Sequence, residues 1–168
     1  TDVNGNVSTC NATVTVQDNV APVASCKNIT VALDANGQAS IVASDIDNGS
    51  NDACGIASIS INKSTFDCSE AGANNVTLTL TDNNNNVSTC VAVVTVIDNI
   101  DPVARCVGDF TIYLDNNGQA SITALQVDNG SSDVCGTPVL TLNQYDFDCS
   151  NLGTNTVTLT ATDASGNT

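Results

Sequence analysis

The sequence lacks most of the side chains that nucleic-acid binding and membrane insertion require. It has no histidine, methionine or tryptophan, and its 3 lysines and arginines stand against 18 aspartates and glutamates, for a formal charge of −15. Phosphate binding needs clustered lysine and arginine, so the composition argues against nucleic acid and against an anionic membrane surface as partners. No apolar run approaches the roughly 18 residues of a membrane span, so we expect no direct membrane insertion.

What the chain does have is an internal repeat with a period of about 80 residues. Residues 1–22 (TDVNGNVSTCNATVTVQDNVAP) and residues 81–102 (TDNNNNVSTCVAVVTVIDNIDP) agree at fifteen of twenty-two positions, and TDASGN at residues 162–167 resembles their first six. A period of this length suits a small β-domain better than a solenoid turn. The cysteines keep the same period, in the pairs Cys10/Cys90, Cys26/Cys106, Cys54/Cys135 and Cys68/Cys149.

The local pattern predicts β-strands almost throughout. Segments such as VTVQD, VTLTLTD and VAVVTVID alternate apolar residues with threonine or are rich in valine, over lengths typical of strands. Between them lie turn sequences such as DANGQ and TDNNNN, where asparagine and glycine accept positive φ. No segment has helical periodicity. We therefore predict an all-β fold of tandem immunoglobulin-like β-sandwich modules, stapled by disulfides and arranged as a rod.

The repeat divides the chain into three predicted parts. Residues 1–19 are the last strand of a preceding module, residues 20–99 form a complete immunoglobulin-like module, and residues 100–168 form a second module that lacks its own last strand. Such a module would expose an open sheet edge. Either the native chain continues beyond this sequence or a neighbouring copy supplies the missing strand, and continuation is the favoured alternative.

Eight cysteines without any histidine could bind zinc or form disulfides. Zinc sites favour close pairs such as C-x-x-C, whereas the successive spacings within the repeat are 16, 28, 14 and 22 residues. Disulfides are therefore predicted, and they place the protein in an oxidising compartment outside the cytoplasm.

The order of the predicted strands selects among the possible disulfides. Cys26 on the first strand and Cys90 on the last strand lie near the same end of the module at residues 20–99, and these two strands are neighbours in such sandwiches. We therefore expect three bonds: Cys26–Cys90, Cys54–Cys68 and Cys135–Cys149. Cys10 and Cys106 would have partners outside this sequence. The rival arrangement is a hairpin across the linker DNVAP, with the bonds Cys10–Cys26 and Cys90–Cys106.

Two motifs carry a family resemblance that covers essentially the whole chain. The frame D-N-x-x-P-x-x-x-C, followed by a strand and by T-D-x-x-G-N-x-x-x-C-x-x-x-V-x-V-x-D, resembles the hyalin-repeat (HYR) module, an immunoglobulin-like domain of extracellular adhesion proteins. The additional cysteines Cys54 and Cys68 and the asparagine-rich, lysine-poor composition resemble repeat regions of Bacteroidota cell-surface proteins, among them gliding-motility adhesins exported by type IX secretion. The resemblance implies an extracellular, cell-surface protein of cell adhesion or gliding motility.

These observations favour a non-catalytic function. An activated nucleophile needs a histidine, a lysine or a thiolate beside it, and the only lysines are Lys27 and Lys63. The aspartates obey the repeat, whereas an active site should break it. We expect a stalk or spacer in a long extracellular adhesin or surface filament, with neighbouring modules of the same chain as its partners. The alternative is that the modules bind a glycan, a protein ligand or an extracellular surface directly through their loops.

Acidic residues are predicted to gather at the ends where modules meet. Ca²⁺ takes six to eight oxygen ligands, so clustered carboxylates could bind it and lock neighbouring modules together. The alternative, favoured by the usual place of aspartate in turns, is that these side chains are solvated turn caps. The candidate ligands are Asp18, Asp47, Asp52 and Asp82 at the first junction, and Asp98, Asp101, Asp128, Asp133 and Asp163 at the second.

Overall fold

The computed structural model of the protein describes Thr1 and residues 3–168, and the fold is mainly β with a few short helical turns. Residue 2, part of the segment predicted as the last strand of a preceding module, lies outside the described residues. The strands are β1 (Ile29–Ala32), β2 (Gln38–Ser40), β3 (Ile56–Ile61), β4 (Thr65–Asp67), β5 (Gly72–Asp82), β6 (Val87–Ile97), β7 (Gln119–Ser121), β8 (Val139–Leu142), β9 (Asp146–Asp148) and β10 (Leu159–Thr162). The helices are α1 (Ala43–Ile46), α2 (Ala124–Val127) and single 3-10 turns at Cys68–Glu70 and Cys149–Asn151.

A four-stranded sheet in the order β1-β6-β5-β3 forms the centre of the first repeat, residues 20–99. Its two long strands, β5 and β6, pair antiparallel, while β1 lies parallel to β6. The first and last strands of the repeat are therefore neighbours that run in the same direction, as the sequence predicts. Successive side chains of a strand point to opposite faces, so alternate residues enter the core. The apolar residues buried on β5 and β6 are Val76, Leu78, Leu80, Ala92, Val94 and Val96.

A smaller antiparallel pair, β2 with β4, packs over the inner face of this sheet. Ala39 of β2 stands opposite Phe66 of β4, and the Phe66 ring is 2% exposed. Ile46 of α1 is fully buried in the same core. The first repeat thus has two layers of strands around one apolar cluster, which is the usual way in which a sheet buries its hydrophobic face.

The four asparagines after β5 form the turn into β6, as predicted from their tolerance of positive φ. Asn85 is the one non-glycine residue with positive φ among those the structure describes, at 70°. The Asp82 carboxylate holds the turn, because its Oδ1 accepts the backbone N–H groups of Asn84 and Asn86 at 2.8 Å each. The Asn86 side-chain amide donates to Oδ2 at 2.7 Å. Asp82 is 1% exposed, so these bonds replace the water that its charge has lost.

The second repeat, residues 100–168, keeps the plan of the first but has a smaller core. Its strands form two separate pairs, β7 with β9 and β8 with β10, around Ile122, Val127, Leu142, Phe147 and Leu159. The counterpart of β1 lies within residues 107–115, which are fully described and form no strand. The counterpart of β5 is also shorter, since β10 has 4 residues where β5 has 11. Within the described chain, β10 pairs with β8 alone.

The prediction of a mainly β protein with disulfides is confirmed. The short helices were not predicted, because one turn is too short to show a helical period. Their ends are nevertheless specified locally: the Asp45 carboxylate accepts the Val42 N–H at 2.8 Å, and Gln126 Oε1 accepts the Thr123 N–H at 2.8 Å. Among the described residues, no helix is long and apolar enough to cross a membrane.

Residues 3–19 belong to the segment predicted as a strand, yet they form no strand and are almost all exposed. A strand needs a hydrogen-bonded neighbour, and the sheet of the first repeat already has its own copy of this sequence in β6. The side-chain pattern of these residues is nevertheless that of a half-buried strand, with Val14 at 81% and Val16 at 90% exposure.

Candidate functional site

The two repeats are joined covalently where they meet. Cys68, in the turn after β4, forms a disulfide with Cys135, in the loop after α2, across a Cα–Cα distance of 5.1 Å. Each of these cysteines lies at one end of its own repeat. Cys68 lies at the end of the first repeat that holds the turn between β1 and β2, which we call the far end. Cys135 lies at the opposite end of the second repeat, where residues 98–102 enter, which we call the linker end. This bond and the groups around it form the junction, the most distinctive site of the chain.

Gly37 makes room for the junction. This residue lies in the turn between β1 and β2, has φ of +73° and is buried. A Cβ atom there would stand 2.6 Å from Cys68 Sγ and 3.1 Å from Val134 Cγ1. Both the positive φ and the close approach of sulfur require glycine at this position. The second repeat has the same arrangement, since a Cβ atom on Gly118 would stand 2.9 Å from Cys149 Sγ.

The second disulfide, Cys26–Cys90, joins the beginning of the first repeat to its last strand. Cys26 and Cys90 are joined across a Cα–Cα distance of 5.9 Å, and this is the bond expected from the neighbouring first and last strands. Cys26 also bridges to Asp47 of the loop after α1. The bond therefore ties β6 to the segment that precedes β1.

The expected bonds Cys54–Cys68 and Cys135–Cys149 are not formed, and this expectation is corrected. Strand β3 lies between Cys54 and Cys68, and β8 lies between Cys135 and Cys149, so a strand carries the chain away from the first cysteine of each pair. The six residues of β3 alone rise about 20 Å, whereas a disulfide needs Cα atoms within about 7 Å. The rival hairpin bonds Cys10–Cys26 and Cys90–Cys106 are not formed either. The free thiols of the described chain are Cys10, Cys54, Cys106 and Cys149, all exposed.

Carboxylates do gather at the junctions, although in smaller groups than predicted. Among the described residues, two groups bring three possible metal ligands within 4.8 Å of one another: Asp18, Asp52 and Cys54 at the first junction, and Asp98, Asp133 and Cys135 at the second. The two groups occupy equivalent positions of the repeat. Asp133 Oδ1 is buried and has no hydrogen-bond partner within the described part of the chain.

Four of the other five predicted ligands serve as turn caps. The Asp47 carboxylate accepts the Ser50 N–H at 3.1 Å, and Asp128 accepts the Ser131 N–H at 2.8 Å. Asp163 repeats the role of Asp82, accepting the Asn167 N–H at 2.8 Å. Asp101 lies exposed in the linker. Neither carboxylate group at the junctions includes Asp47, Asp82, Asp101, Asp128 or Asp163.

Hydrogen bonds, burial and nearby charges shift the pKa of one thiol and one carboxyl group, those of Cys54 and Asp82. The Cys54 thiol has a raised pKa, chiefly because of its hydrogen bond to Asp18 and the charge of Asp18, with burial and the charges of Asp52 and Asp82 adding to the effect. A raised thiol pKa leaves less thiolate at neutral pH and slows reaction at sulfur. At Asp82, burial acts to raise the pKa, but the hydrogen bonds from Asn86, Asn84 and Asn85 together lower it.

No family model matches this sequence, and no curated protein matches it. The assignment of the site therefore rests on the geometry of the junction and on its repetition along the chain.

We expect loss of the Cys68–Cys135 bond to destabilise the protein. Replacing both residues by serine opens a loop with a sequence separation of 67, which in the chain-entropy treatment costs about 4 kcal/mol of unfolding free energy. Urea unfolding followed by circular dichroism measures the change. The matched control is Cys54→Ser with Cys149→Ser, which alters the equivalent positions without breaking a bond. An equal loss in both double variants would contradict the assignment.

The lowered pKa of Asp82 predicts a pH-dependent contribution to stability. Because its folded-state pKa lies below the unfolded value of about 3.9, its stabilising effect is fully present above that value and is lost as the pH falls through the folded pKa. Asp82→Asn should therefore lower the melting temperature at pH 7, and the difference from the unaltered protein should shrink below about pH 4. Asp109→Asn, the same change at an exposed position, is the control. A pH-independent difference would refute this account.

Proposed function

We propose that the chain is a non-catalytic repeat segment of a long extracellular adhesin or surface filament, in which tandem immunoglobulin-like modules of the HYR type act as a stalk or spacer. The observation that carries this proposal is the overlap of the two disulfide loops. Cys68 lies within the loop closed by Cys26–Cys90, and Cys90 lies within the loop closed by Cys68–Cys135. Tension applied to the chain ends would therefore be carried by both covalent bonds and by the segment between Cys68 and Cys90, and it would bypass β1 to β4.

Two further observations support a spacer. The groups at the junctions obey the repeat: Asn86 Nδ2 donates to the Asp18 carbonyl at 3.2 Å, and Asn167 Nδ2 donates to the Asp98 carbonyl at 3.2 Å. A stalk becomes longer when a repeat and its junction are duplicated, so the same contacts are expected at each junction. A binding site does not require such duplication. The disulfides also fit a protein that folds in an oxidising compartment, as an extracellular location requires.

Direct binding of a glycan receives less support. A concave surface of the first repeat is bounded by Asp34, Gln38 and Asp67, and a similar surface recurs in the second repeat. Sugar recognition commonly uses an exposed aromatic face, but Phe66 and Phe147 beneath these surfaces are 2% and 7% exposed. These two surfaces therefore present no exposed aromatic face to a glycan.

The two functions predict different results when repeats are removed from the full-length surface protein. For a spacer, deletion of one, two or more repeats should reduce surface attachment or movement in proportion to the length removed. The control is the exchange of one repeat for another of equal length, which should leave the activity unchanged. Loss of activity upon exchange would identify a binding role for particular repeats and contradict the spacer.

The calcium expectation becomes a proposal for two carboxylates at each junction. Asp98 and Asp133 approach each other, and the unpartnered, buried Asp133 Oδ1 is an oxygen that a hard cation would satisfy. Cys135 is held in its disulfide, so the remaining ligands would come from backbone carbonyls and water. Asp18 and Asp52 would serve in the same way at the first junction.

Calcium binding at the junction predicts a stability change that depends on these carboxylates. At a concentration 100 times the dissociation constant, the ion should raise the unfolding free energy by about 2.7 kcal/mol. Thermal unfolding and small-angle scattering, each with calcium and with chelator, give the measurement. Asp98→Asn with Asp133→Asn should abolish the response, while Asp109→Asn with Asp146→Asn, the same charge change at exposed positions, should keep it. Unchanged melting temperature and dimensions would remove calcium from the account.

A further inference from the structure

The outer face of the four-stranded sheet of the first repeat carries no charged side chain. Among the residues of β1, β3, β5 and β6, Asp82 alone is charged, and its side chain is 1% exposed. The other acidic residues of the chain stand outside these four strands. We infer that this face binds the same face of a second copy of the chain. This inference goes beyond the proposed stalk function and does not rest on it.

Threonine and valine make up the middle of this face. Successive side chains of a strand point to opposite faces, so the residues that alternate with the buried positions of β5 and β6 point outward. The register sets Thr77 opposite Val91 and Thr81 opposite Val87. A row of threonine on β5 therefore lies beside a row on β6 that is rich in valine.

The valines of this face are exposed within a complete part of the sheet. Val91 is 58% exposed and Val87 is 54% exposed, although β6 has both of its neighbours, β1 and β5. Neither a sheet edge nor a missing strand therefore accounts for their exposure. Apolar residues that lie together on the surface in this way commonly mark an interaction site.

The neighbouring repeat leaves the face uncovered. The second repeat meets the first at the far end, through Cys68 and Cys135, while Val91 stays exposed. In the second repeat, which has a repeat before it, Thr160 is the counterpart of Thr79 and is also exposed. A repeat on either side therefore joins at an end, and the occupant of the outer face has to come from another molecule.

The distribution of charge favours a second copy as that occupant. The opposite layer is acidic, since Asp34, Asp67 and Glu70 stand around β2 and β4. A cationic partner would bind these carboxylates, whereas two copies that each carry a charge of −15 repel one another least where both surfaces lack charge. The four strands also contain no aromatic residue on which a sugar could stack. The contact that these charges permit is one uncharged face against another.

The size of the face fits a weak dimer that forms at high concentration. Strands β5 and β6 have 11 residues each, while β1 has 4 and β3 has 6. With about 3.3 Å per residue and about 4.8 Å between strands, the face covers roughly 500 Å². A standard interface buries roughly 800 Å² per partner. Because both copies contribute the same surface, the contact is isologous and closes as a dimer.

Sedimentation equilibrium of the full chain tests the inference. The exposed thiols are first blocked with N-ethylmaleimide, so that no disulfide can join two copies. We expect the mean mass to rise from that of the monomer towards that of the dimer over concentrations up to about 1 mM, as the modest area implies. The dimer fraction should be larger in about 0.5 M salt than in about 0.05 M salt, because salt screens the repulsion between acidic copies.

Substitutions at Val91 locate the contact. Val91→Asp places a charge in the middle of the face and should lower the association constant about tenfold or more, because the carboxylate would lose its water on dimerisation. Val91→Thr, which keeps a β-branched side chain and adds no charge, should change association little. Leu125→Asp adds the same charge at a residue of α2 that is 78% exposed and lies outside the face, and it should also change association little.

A substitution on an edge strand guards against an effect on folding. Aspartate is unfavourable within a strand, so Ser60→Asp repeats the test at an exposed position of β3, on the same face, and should also weaken association. The melting temperature of each variant checks that it is folded. Monomer at every concentration, association that weakens with salt, or equal losses in Ser60→Asp and Leu125→Asp would each overturn the inference.

Discussion

The antiparallel pairing of β5 with β6 holds the first repeat together, and the chain itself shows what depends on it. Where β6 is present, β5 extends over 11 residues, β1 adds as a parallel neighbour, and the inward side chains of both long strands are buried. In residues 100–168, for which the described chain holds no counterpart of β6, β10 is 4 residues long and residues 107–115 form no strand. The local sequences of the two repeats are closely similar. The difference therefore arises from the tertiary neighbour and not from strand propensity.

Aspartate supplies most of the protein's negative charge, and aspartate carboxylates also accept the backbone N–H groups of turns that recur in both repeats. Asp34, Asp82 and Asp115 each accept backbone N–H groups of their own turn, and these hydrogen bonds outweigh burial and lower the pKa of each carboxyl. A carboxylate used in this way is satisfied without a cation. Asp133 differs, because one of its oxygens is buried without a partner. The junction thus holds a carboxylate oxygen that, within the described chain, the turn hydrogen bonds do not satisfy.

The sequence alone predicts much of the first repeat correctly, for physical reasons that act over short distances. Alternation of apolar residues predicts β5 and β6, and asparagine predicts the turn between them. The neighbouring first and last strands also lead to Cys26–Cys90. The expected bond Cys54–Cys68 is wrong because β3 lies between these two cysteines and carries the chain away from Cys54. Cys68 is bonded instead to Cys135 of the next repeat.

What the sequence by itself determined is the repeat, the mainly β character, the turn chemistry and the use of cysteine for covalent bonds, because each is encoded within a few residues or by the period. What only the tertiary structure decided is which cysteines meet, which carboxylates approach and which strands find a neighbour. These depend on contacts between residues that are far apart in sequence, such as Cys68 and Cys135, which are separated by 67 residues. Alternation along a strand carries no information about such distances, since it fixes the face of a side chain and not the identity of what covers it.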